Sequence, residues 1–103
     1  MGFDKENAIT AKKLRDGDVC LVQGFGQSMI PVIKSAQICE VSPVREDTVL
    51  EKGDVVFAKV NGHFYLHKIS AIKNGQYQIS NNHGHVNGWT NPRNIYGKVT
   101  HIL

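Results

Sequence analysis

Two Asn-Gly dipeptides, Asn61-Gly62 and Asn74-Gly75, constrain this chain most, because each separates two runs rich in β-branched and aromatic residues. Asn and Gly both tolerate positive φ, which the tight type I′ hairpin turn demands at its two central positions. The two dipeptides together predict a three-stranded antiparallel meander from Asp54 to Ser80. Further strand-like runs lie at Val19–Val22, Ile38–Val41 and Ile95–Ile102. Six candidate strands and little helix predict an all-β (mainly β) fold, a partly open β-barrel or folded antiparallel sheets. Asn7–Leu14 reads as at most a short helical turn or ordered coil, ending in the turn composition Arg15-Asp16-Gly17-Asp18.

At 103 residues the chain is long enough for one core. The expected organisation is an N-terminal extension, 1–15, and a β domain, 16–103. Twelve basic against nine acidic residues leave a formal charge of +3, scattered apart from Lys12-Lys13-Leu14-Arg15, which is too diffuse to predict a nucleic-acid partner. Residues 1–15 are also too few for a helix-turn-helix, so a DNA-binding regulator is not expected. The N-terminus has neither a signal-peptide apolar region nor the ~18 apolar residues of a membrane span, and a cytoplasmic protein is expected. Cys20 and Cys39 lack metal or redox spacing and suit small apolar residues in a reducing cytosol. His83-Gly84-His85 offers two metal donors where a site needs a third, so neither metal nor cofactor is expected. The polar stretch Asn81–Asn94 reads as a long loop, pinned by Val86 and Trp89.

One small hydroxyl stands out. In Gly26-Gln27-Ser28-Met29-Ile30-Pro31, Ser28 lies between a glycine turn and a proline that forbids regular helix, so its hydroxyl is presented. A serine in such a turn serves local hydrogen bonding unless a base activates it. His67, 39 residues later, is a candidate base on the middle strand of the meander. Alternation puts Tyr65, His67 and Ile69 on one face and Leu66 and Lys68 on the other, so His67 and Lys68 cannot serve the same site. Taken alone, His67 also reads as a half-buried strand histidine bonded to a carbonyl.

Gly-x-Ser-Met-x-Pro followed by Lys52-Gly53-Asp54-Val55-Val56 resembles the serine peptidase superfamily that unites signal peptidases with the self-cleaving, LexA-like SOS repressors. Ile95-Tyr96-Gly97-Lys98-Val99 resembles its closing Gly-Lys-Val strand, so the likeness covers about residues 16–103. The whole chain is similar to small stand-alone phage-encoded members with the same Asn-Asn-x-Gly and Asn-Gly-Trp segments. The resemblance implies that fold, with Ser28 as nucleophile and His67 at the position of the general base, occupied by lysine in bacterial signal peptidases and by histidine in archaeal ones. Gly26 and Gly24 would let a substrate strand approach, and backbone amides around Ser28 and Met29 would form the oxyanion hole.

Two departures qualify what the resemblance implies. Histidine-type relatives carry an aspartate to orient the base, yet the matching stretch here is Ser80-Asn81-Asn82, and no carboxylate side chain follows Asp54. Asn82, or Asn81, is then the expected orienting group, through its side-chain carbonyl, and the catalyst is expected to be slow. The Ala-Gly and Cys-Gly bonds at which SOS-type relatives cut themselves do not occur, so self-processing is not expected. The expected partner is a peptide or protein substrate. The competing reading is a catalytically silent peptide-binding or assembly module of the same fold in a phage or prophage.

Overall fold

In the computed structural model, which describes residues 2–24, 33 and 36–103, with side chains from residue 5 onward, the chain begins with a helix. Helix α1, Gly2–Arg15, spans 14 residues, well beyond the single turn expected of Asn7–Leu14. Its buried stripe is narrow: Ala11 and Leu14 are buried while Ile9 is exposed. So thin a stripe hardly marks a helix in sequence, and the sheet beneath supplies most of its stability. The end of α1 was legible, because Gly17 takes φ +102° and closes a Schellman motif. Its amide donates to the Leu14 carbonyl (3.1 Å) and that of Asp18 to the Lys13 carbonyl (2.9 Å).

Among the described residues seven strands follow: β1 (Cys20–Gln23), β2 (Ile38–Pro43), β3 (Val55–Val60), β4 (His63–Lys73), β5 (Gln76–Ser80), β6 (Val86–Thr90) and β7 (Ile95–Ile102). They form one antiparallel sheet in the order β1-β2-β7-β3-β4-β5-β6. The all-β expectation holds, as do both hairpins. Asn61 and Gly62 have φ of 50° and 84°, and Asn74 and Gly75 of 52° and 74°, the left-handed pair a type I′ turn requires. Strand β6 corrects the expected loop Asn81–Asn94. Its alternation is hidden by Asn87 and Gly88, and its entry is shaped by Asn81, whose Oδ1 accepts the amides of His83 (2.8 Å) and His85 (2.9 Å).

Strand β3 is buried on both faces, which is why Val55-Val56-Phe57-Ala58 is a continuous apolar run. One face, with Val56, Ala58 and Val60, joins Ile69, Ile79 and Ile95 in a core cluster. Phe57, on the other face, packs with Val41 under Ala11 and Leu14 of α1. The sheet then curls until β6 meets β3 again, where the Thr90 hydroxyl donates to the Lys59 carbonyl at 2.8 Å. The result is a half-barrel with α1 against its outer side. Among the described residues, no helix is long and apolar enough to cross a membrane.

Candidate active site

The strand register fixes His67 first. It pairs with Val56 across β3–β4, and its ring lies 5.1 Å from that of Tyr65, two residues back on the same face, as alternation predicted. Lys68 pairs with Val55 and has the opposite parity.

His67 Nδ1 lies 2.7 Å from Asn87 Oδ1. A side-chain carbonyl can only accept, so Nδ1 is the protonated nitrogen and the lone pair resides on Nε2. This is the tautomer a general base needs. The side-chain carbonyl that meets Nδ1 is that of Asn87; Asn82, the residue expected to orient the ring, lies in the turn that leads into β6, and Asn81 Oδ1 bonds that turn's amides.

A β-bulge puts Asn87 there. Ile79 pairs with Gly88 and Ser80 with Val86, which leaves Asn87 as the extra residue on β6. Bulges re-aim side chains, and this one turns an amide onto the imidazole. Gly88 is needed alongside, because its φ is +141° and a Cβ there would lie 3.0 Å from Val60 Cγ1 on β3. Sequence alone could have found Asn87 only if Val86–Thr90 had been read as a strand, since the loop assignment hid both alternation and bulge.

Burial pushes the His67 pKa below its ordinary value of 6.5; the Asn87 hydrogen bond opposes that shift, and the nearby charge of His85 adds to it. Imidazole is therefore neutral at physiological pH. The unfolded chain takes up this proton first as pH falls, so folded stability contributed by this group is intact above pH 6.5 and declines below it, down to the lower folded pKa. His67→Gln is expected to flatten that part of the stability curve in denaturant titrations between neutral and mildly acid pH. An unchanged slope would mean that the ring is solvated.

His67 borders a cleft of about 170 Å³ whose lining also includes Gln23, Gly24, Ile33 and, from the sheet face that packs on α1, Phe57, Phe64 and Leu66. Gly24 and Ala36 close the neck of the connection from β1 towards β2: the Ala36 amide donates to the Gly24 carbonyl at 2.9 Å, and the Gly24 amide to Gln37 at 2.9 Å. Ile33 is buried against Cys39, Val55 and Leu66. Ser28, Gly26 and Met29 belong to this connection and lie outside the described residues. Among the described residues, no group of three or more His, Cys, Asp or Glu side chains could hold a metal ion.

Residues 3–100 match the family model described as Peptidase S24-like. No curated protein matches the chain.

Proposed function

Since this chain belongs to the Peptidase S24-like family, we propose that it is a serine endopeptidase in which Ser28 attacks a peptide carbonyl and His67 carries the proton. The observation that carries this reading is the His67–Asn87 hydrogen bond, which holds imidazole in its basic tautomer. Gly24 and Ile33, four residues before and five after Ser28, border the cleft that His67 also borders, together with Phe57 and Leu66 of the opposite sheet face.

In the acylation step, the Ser28 Oγ–H proton passes to His67 Nε2 as Oγ bonds to the substrate carbonyl carbon. The resulting imidazolium returns the proton to the leaving amine as the C–N bond breaks, and water repeats the cycle on the acyl-enzyme. Backbone amides of the Ser28 turn, with Gly26 and Met29 beside it, are the donors proposed for the oxyanion. Asn87 orients the ring without a full negative charge to stabilise the imidazolium. The catalyst is accordingly slow.

A fluorophosphonate probe tests the assignment. Intact mass should show one adduct, peptide mapping should place it on Ser28, and Ser28→Ala should remove it. Absence of any adduct, or an adduct on another residue, rejects Ser28 as nucleophile and leaves the silent peptide-binding module as the function of this fold.

A further inference from the structure

All three arginines of the chain, Arg15, Arg45 and Arg93, line one cleft of about 690 Å³. It shares no described lining residue with the cleft at His67. Three separate elements deliver them: Arg15 ends α1, Arg45 follows β2, and Arg93 lies in the single 3₁₀ turn Pro92–Asn94 before β7. The convergence is held by the backbone. The Val44 amide donates to the Tyr96 carbonyl (3.0 Å), and the Arg45 amide to Thr48 Oγ1 (2.7 Å), which fixes the turn behind β2.

The three guanidinium groups make no ion pair with a carboxylate among the described residues. Arg15 stacks over the Tyr96 ring at 4.5 Å and donates to the Arg93 carbonyl. Arg45 lies against Gly17, where a Cβ would stand 2.5 Å from Nη2. Its neighbourhood is therefore the C-terminal end of α1, where the partial negative charge of the helix is joined by the flanking carboxylates of Asp16, which pairs with Lys12 at 3.1 Å, and Asp18. Among the described residues Glu46 is the one carboxylate of the lining, against three arginines. The remaining wall includes the apolar Val44, Leu50 and Ile95.

Such a lining selects an anion that brings apolar groups with it. A single-stranded nucleic acid would need open aromatic faces for base stacking. Tyr96 is already engaged by Arg15 and packs 6.0 Å from Phe64, while Tyr77 is half-buried against the Val56 cluster. Carboxylates need only the guanidinium forks, which match them in bidentate geometry. We propose that the Arg15–Arg45–Arg93 cleft is a second binding site that takes an extended acidic peptide segment, its carboxylates on the arginines and its intervening apolar side chains on the partly exposed Val44 and Leu50.

The test is fluorescence anisotropy with a labelled peptide of alternating glutamate and leucine, its glutamine counterpart, and a labelled oligothymidylate. The glutamate peptide should bind about tenfold or more tightly than the glutamine one, as expected for losing charge-assisted hydrogen bonds. Arg45→Gln with Arg93→Gln should weaken binding by about tenfold per arginine, and Glu46→Gln should tighten it. Arg15 is left intact because it packs on Tyr96. Equal binding of the two peptides, affinity unmoved by the arginine pair in a variant that melts as the parent does, or tighter binding of the oligothymidylate than of the glutamate peptide overturns the proposal. The Glu46→Gln arm is independent of any stability lost with the arginines: affinity unchanged by it would also count against a charge-read site. Ser28→Ala should bind the peptide unchanged, so failure here is separable from failure of the peptidase reading.

Discussion

His67→Ala is expected to slow fluorophosphonate labelling of Ser28 by about 10²–10⁴-fold while leaving the fold intact, the range a positioned general base contributes. The side chain is only half-buried, and its neighbours on the same face, Tyr65 and Ile69, hold the strand to the core without it. Asn87 should modulate the same rate through the ring it orients. Asn87→Ala frees the imidazole to adopt the other tautomer and should slow labelling less than His67→Ala does. Asn87→Asp puts a negative charge beside Nδ1, opposing the effect of burial, and should move the midpoint of the pH–rate profile upward. That shift separates a positioning residue from a merely structural one, because a packing role would not move the profile. Labelling of His67→Ala at the parent rate would remove the histidine from the mechanism.

The largest stability effect is expected at Gly97 on β7. A Cβ there would lie 2.4 Å from Val41 Cγ1 and 3.1 Å from both methyl carbons of Leu14. Neither neighbour can yield easily: Val41 is fully buried with a stiff branched side chain, and Leu14 is the main anchor of α1. Gly97→Ala should cost about 1–3 kcal/mol by overpacking, a drop of roughly 4–8 °C in Tm per kcal/mol for a domain near this size. Val41→Ala opens the space, so the double variant should be less destabilised than the two single changes added together. Thermal melts of the four proteins decide it. A Gly97→Ala protein that melts with the parent would mean that α1 does not press on β7.

Much of this molecule was readable locally. The Asn61-Gly62 and Asn74-Gly75 hairpins, the parity of His67 against Lys68 and the helix stop at Gly17 each depend on residues within a few positions of one another. The four-turn length of α1 was not readable, because among its described side chains only Ala11 and Leu14 are buried and the sheet completes the stripe. Strand β6 was missed because a bulge and a glycine break the period-2 pattern that identifies a strand.

The sequence by itself determined the antiparallel meander and the face on which His67 stands, because backbone sterics and side-chain alternation act over neighbouring residues. Only the tertiary structure decided which asparagine meets the imidazole, 20 residues away across the curled sheet. It alone brought Arg15 to Arg93, 78 residues apart, and set Gly97 beneath Leu14. The physical reason is the same in each case: a bulge, the curl of a sheet and the seating of a helix depend on how distant elements pack, and no local pattern records that.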